Sequence, residues 1–233
     1  MTTAPSSTPS TTPSTDLIAH ARTDAAAGLD ALLSAVGRLT ADDLAGPSTL
    51  EGWTRGHVLA HVAALGTAML GQVRAVERGE VVPVYASPEA RAAGIEAGAG
   101  RTTAEHLAAL RVLRDDLGSA WPEPGSPLWE APSGYRNGPL SGCLLAWWRE
   151  VRIHSVDALA GTAQEVGYET WDDALCAHLR EFLAVRLPDG VSVDDVAGDP
   201  RDVTAWLAGR TPVNPLSGDL PELGPWPSAL PAA

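Results

Sequence analysis

The chain of 233 residues is long enough for one sizeable core, and 29 acidic against 16 basic residues give a formal charge of −13 that repels phosphate backbones and argues against a nucleic-acid partner. Apolar residues at 45% exclude a wholly disordered chain, and no apolar run approaches the roughly 20 residues of a membrane span, so neither disorder nor a membrane is expected. Every basic residue is arginine, which excludes Schiff-base lysine chemistry, and Cys143 and Cys176 lack CxxC spacing, so reduced thiols are expected.

Residues 1–15, MTTAPSSTPSTTPST, have neither the basic nor the apolar region of a secretory signal and read as a disordered tail, with a cytoplasmic address expected. From about Asp16 to Leu39, apolar residues at three- and four-residue steps (Leu17, Ile18, Ala25, Leu29, Leu32, Leu33, Val36) predict a first helix. Thr54 caps a second, whose stripe from Val58 to Val76 ends near Gly79. A long loop with Pro83, Pro88 and three glycines is expected next. Thr102 and Glu105 then form a capping box for a third helix, ended by Pro122 and Pro124. Residues 122–139 read as a surface connection, and a fourth helix runs from Pro139 to about Ala160. Four such helices in series predict a mainly α, antiparallel four-helix bundle over 16–162. Residues 163–233 read as a small α/β appendage: a helix capped by Thr170, a turn at PDG, a short strand at VSV, a helix opened by Asp199-Pro200, and an extended tail.

The ionisable residues on the helices carry the chemistry. GWTRGHVLAHVAAL (52–65) places His57 and His61 four apart, with His61 nearer the apolar stripe. In WWREVRIHSVDAL (147–159), Glu150, His154 and Asp157 fall within roughly 60° of one another on a helical wheel. One histidine of the second helix with Glu150 and His154 makes a 2-His-1-carboxylate set that leaves open positions for water or substrate. Zinc is the first choice of metal, with iron(II), nickel and manganese also accepted by such ligands, and Asp157 could orient a ligand ring. Taken alone, a Glu-x3-His pair is more often a surface i, i+4 contact, and His57 could face solvent in the first helical turn. Cys143 reads as a packing thiol, and of Trp147 and Trp148 at most one lines a pocket.

GWTRGHVLAHVA and REVRIHSVD together resemble the mycothiol-dependent maleylpyruvate isomerase family, whose N-terminal domain is a DinB-like four-helix metal bundle. The similarity continues through YASPEARAAGIEAGAGR (85–101), AWLAGR (205–210) and LPELGPW (220–226). The resemblance implies a divalent metal on His61, Glu150 and His154, with His57 outside the set, and mycothiol or a similar small thiol as cosubstrate. It implies cis–trans isomerisation of maleylpyruvate, in which the cofactor's thiolate adds to the conjugated alkene and leaves after rotation. A carboxylate substrate calls for arginine, and Arg210 matches a family position associated with activity, Arg91 and Arg101 being further candidates. Arg210 could instead be a charge that complements a helix end. The chain departs from the family between about Arg186 and Asp199, where a trimmed appendage is expected, and at Ser155, which turns away from the metal face. Two other functions fit the same residues: a DinB-like thiol S-transferase, and a non-catalytic metal- or ligand-binding bundle.

Overall fold

The computed structural model describes residues 13–218 and 220–227. Eight helices lie within them: α1 (Thr15–Val36), α2 (Ala41–Ala45), α3 (Arg55–Glu77), α4 (Pro88–Ala99), α5 (Thr103–Ala120), α6 (Leu140–Leu159), α7 (Asp173–Leu183) and α8 (Pro200–Leu207). Hydroxyl caps set most of the starts in the bundle. Ser14 receives the Leu17 amide at the head of α1, and Thr40, Thr54 and Thr102 close capping boxes on α2, α3 and α5.

The four long helices α1, α3, α5 and α6 form the bundle. α1 packs on α5 and α6, and α3 packs on the same two, so α1 and α3 stand across the diagonal. Their apolar stripes meet in one core in which Leu32, Leu59, Met69, Leu110 and Leu144 are all but inaccessible to water. By length and composition α3 could cross a membrane, yet 72% of its apolar window is buried against its neighbours, as expected of a central bundle helix.

Three expectations change. The loop expected after the second helix contains α4: Ser87 caps it, and Pro88 occupies the first turn, where its missing N–H costs nothing. Of the glycines that argued for a loop, Gly98 serves packing instead. A Cβ on Gly98 would come within 2.9 Å of the Ala60 side chain, so glycine lets α4 lie close on α3. The expected VSV strand is absent: Ser192 and Asp195 cap each other around a 3-10 turn at Val193–Asp195, and only isolated bridges such as Ala197 to Ser217 occur among the described residues. The appendage is therefore helical, because a short run without a partner strand leaves its amides to local caps. The helix assigned to Thr170 begins at Asp173, capped by Asp172.

α8 opens at Asp199-Pro200 as the sequence predicts. After α8 the described residues up to Pro227 contain no helix, and Trp226 packs edge-on against Phe182 of α7. The expected N-terminal tail lies outside the described residues up to Thr12, and Thr15 already belongs to α1.

Candidate metal centre

α3 and α6 are adjacent, and their contact brings His61, Glu150 and His154 together. One donor atom from each lies within 4.8 Å of the others. Glu150 Oε2 accepts from His61 Nε2 at 3.1 Å and from His154 Nε2 at 3.0 Å, and the two rings stand 4.8 Å apart at 80°. The two Glu150 contacts are close to the roughly 3.3 Å between ligand atoms on a tetrahedral ion with bonds of about 2 Å. The donor set of two imidazoles and a carboxylate suits a divalent ion of the zinc or iron(II) class.

The protons in the cluster follow from its partners. His154 gives both ring N–H groups away, Nδ1 to Asp157 Oδ2 at 2.8 Å and Nε2 to Glu150. Burial pulls its pKa down, but Asp157 and Glu150 outweigh that and raise it to about 9, so the ring is an imidazolium. His61 is pushed the other way, mainly by burial, and is neutral. Burial would raise the Glu150 carboxyl, yet the two histidine hydrogen bonds hold it well below the usual carboxylate range. A divalent cation would take the place of the positive charge that His154 now supplies.

Asp157 is wholly buried and fully subscribed. Beside His154 it accepts from Thr49 Oγ1 at 2.5 Å and from Arg210 through Nε at 3.2 Å and Nη2 at 2.6 Å. Its carboxyl is held far below its ordinary value by these partners in spite of burial. Arg210 therefore borders the site with its guanidinium spent on Asp157 and on the Ala208 carbonyl. His57 is spent on structure: Nδ1 accepts from the Thr54 amide in the cap of α3, and Nε2 donates to Glu96 of α4. Ser155 bonds back to the Val151 carbonyl, away from the cluster.

The cluster opens into a cavity of about 570 Å³, walled on one side by the bundle and on the other by Arg186, Arg210 and Trp226 of the C-terminal segment. Arg91 lies in the wall because α4 carries it there, with Nη2 3.4 Å from His61 Nδ1. Arg101 does not line this cavity: it follows the last turn of α4 and faces the grooves beside that helix. Neither Trp147 nor Trp148 reaches the cavity; Trp148 stacks on His178 and donates to Asp24, while Trp147 borders a cleft between α1 and α5. Cys143 is buried, its thiol pushed up to about 11, and neither cysteine lines the cavity.

Trp53 and Tyr85 stand inside the blocks GWTRGHVLAHVA and YASPEARAAGIEAGAGR, yet nothing local marks them as wall residues, and Tyr135 belongs to no such block. Trp53 precedes the α3 cap and packs on His61 at 5.6 Å. Tyr85 sits in the segment before α4, and Tyr135 in the Pro- and Gly-rich connection before α6. Gln72 of α3 fastens these two segments together, its Oε1 accepting from the Gly134 amide at 2.8 Å and its Nε2 donating to the Val82 carbonyl at 3.1 Å. For Tyr135, an aromatic residue in a connection rich in turn formers is the available signal.

Residues 25–159 match the family model described as Mycothiol maleylpyruvate isomerase N-terminal domain. Among solved structures, the crystal structure of a mycothiol-dependent maleylpyruvate isomerase superposes with a TM-score of 0.78 at 24% identity, over 90% of this chain and 97% of that one. A histidine-to-alanine mutant of such an isomerase gives a TM-score of 0.77 at the same identity and coverage. The likeness of fold thus extends past the bundle into the C-terminal helices. No curated protein matches the sequence.

Proposed function

We propose, on the footing that this chain belongs to the mycothiol maleylpyruvate isomerase N-terminal domain family, that it is a metal-dependent enzyme which isomerises maleylpyruvate, or a closely similar conjugated diacid, with a small thiol as cosubstrate. The observation that carries the reading is the meeting of His61, Glu150 and His154 at the floor of a cavity large enough for a small ligand. His61, Glu150 and His154 would hold the ion, zinc being the first choice, and Asp157 would keep the His154 ring oriented through Nδ1. Bound there, a divalent cation supplies the charge that favours a thiolate over a thiol near neutral pH.

The thiol comes from the cosubstrate, since Cys143 and Cys176 are buried away from the cavity. Mycothiol fits that role by family. The thiolate adds to the conjugated alkene, a C–S bond forming while the π pair moves onto the conjugated carbonyl; the former double bond rotates; the pair returns and the thiolate is expelled. The chain's own residues bind and orient. Arg91 presents a guanidinium to the substrate, while Arg210 acts through Asp157 and holds the C-terminal wall against the bundle. Apolar wall residues such as Leu65, Ile153 and Trp226 exclude water from the reacting centre. The free thiols of Cys143 and Cys176 accord with a reducing compartment such as the cytosol.

Zinc-reconstituted protein is to be assayed on maleylpyruvate with and without mycothiol, with product and free thiol both measured. The expected result is the trans isomer, formed only with thiol present and with no net thiol consumed. A stable thioether with stoichiometric thiol loss would replace the isomerase by an S-transferase. Glu150→Ala should abolish both zinc retention and turnover, and stoichiometric zinc in that variant would reject the ligand set.

A further inference from the structure

The geometry points to a carboxylate-binding subsite formed by Tyr85, Tyr135 and Arg91 on the bundle wall of the cavity, for one end of a dicarboxylic substrate. It rests on the reading above for the identity of the diacid. All three residues line the cavity that holds His61, Glu150 and His154.

The Tyr85 hydroxyl is shielded from water and makes no hydrogen bond of normal geometry, with the Arg91 guanidinium close beside it. Buried hydroxyls are rarely left in that condition unless something else completes them. Its ring lies under the Arg91 guanidinium, 5.9 Å from centroid to Cζ. Tyr135 is 8% exposed, and its oxygen accepts from Arg149 Nη2 at 3.2 Å, so its own proton is left to donate. Arg149 is 3% exposed and makes no ion pair among the described residues. Its other contacts are to His178 Nε2 at 2.8 Å and to the face of Phe182 at 3.6 Å. A buried cation ordinarily has an anion close by. Here it stands behind a phenol that faces the cavity, and it strengthens that phenol as a donor to a negative group.

Gln72 makes the pair a built feature. By holding the Gly134 amide and the Val82 carbonyl it ties the segments carrying both tyrosines to α3, the helix that bears His61. The remaining cations of the cavity are committed elsewhere. Arg210 is bonded to Asp157 and Ala208, and Arg186 to the carbonyls of Gly224 and Leu207. Arg91 makes one protein hydrogen bond of normal geometry among the described residues, the 3.4 Å contact with His61 Nδ1, and otherwise lies against Tyr85. A histidine that gives its Nε2 lone pair to a cation keeps its proton on Nδ1, where Arg91 then finds no acceptor. In the metal-loaded protein Arg91 is free for the substrate. Two phenolic donors and one planar guanidinium match the acceptor sites of a carboxylate.

Maleate, a cis diacid without the reactive carbonyl, is the probe. Its binding to zinc-loaded wild type, Tyr85→Phe, Tyr135→Phe and the double variant is to be measured by calorimetry, alongside zinc content and Tm. Each single substitution should weaken maleate by about tenfold, and the double by more, with zinc content unchanged. Absence of maleate binding to the wild type, or wild-type affinity in the phenylalanine variants, overturns the subsite. If Tyr135→Phe does not fold, Tyr85→Phe decides alone, because its hydroxyl has no protein hydrogen bond of normal geometry to lose. Maleate binding that depends on the hydroxyls in a protein that fails to isomerise maleylpyruvate would sink the reaction and leave the subsite standing. Isomerisation with unchanged KM in both variants would do the reverse.

Discussion

The side chain with the most at stake is Asp157, which touches no substrate. It accepts hydrogen bonds from a proposed ligand of α6, from Thr49 ahead of α3 and from Arg210 beyond α8, so three distant stretches of chain converge on one carboxylate. Asp157→Asn keeps the shape and removes the charge. It should weaken zinc binding by roughly 10- to 100-fold, the usual cost of losing a partner behind a ligating histidine, as read by competition with a chromophoric chelator. Unchanged zinc affinity would reduce Asp157 to a tether for Arg210. At this scale the sequence placed His61, Glu150, His154 and Asp157 on suitable helix faces, because a 3.6-residue repeat fixes direction without knowledge of the neighbours. It could not reveal that Arg210 spends its guanidinium on Asp157, since no local rule links residues 53 positions apart.

Among the elements, the bundle helices were legible and the connections were not. Capping boxes at Thr54 and Thr102 and the proline before α6 act within one turn, and the helices begin where those signals lie. α4 was concealed by its glycines, of which Gly98 has a tertiary use: it lets α4 settle on α3, and the helix delivers Arg91. The two tyrosine segments are a further case. Gln72 is 2% exposed and serves the backbone of both. Gln72→Leu leaves an amide and a carbonyl without their partner and should destabilise the fold by about 1–3 kcal/mol in urea unfolding. It should also weaken maleate at unchanged zinc affinity, a split that simple loss of stability would not produce. Maleate affinity equal to that of the wild type would mean the segments hold their positions without it.

For the whole molecule, the joint between bundle and C-terminal helices contributes to the response to acid. His178 of α7 packs flat on Trp148 and accepts from Arg149, both of α6. Burial, then the Arg149 charge, lowers its pKa to about 3. In the unfolded chain the ring takes a proton near pH 6.5. The stability it lends is thus complete above about pH 6.5 and is lost as pH falls towards 3, because only the unfolded state gains the proton. Over that window His178→Gln, which retains an acceptor for Arg149, should lose stability less steeply than wild type, by up to about 1.4 kcal/mol per pH unit. Urea unfolding at stepped pH checks this, and parallel slopes would exclude His178 as the titrating group. The sequence by itself determined the helix-rich class, the bundle helices and which ionisable side chains could face inward, since caps and apolar period act over a few residues. Only the tertiary structure decided which connections fold back as walls, which arginines stay free, and how an expected α/β appendage became helices locked to α6. Those outcomes depend on contacts between residues far apart in the chain, which leave no periodic trace in it.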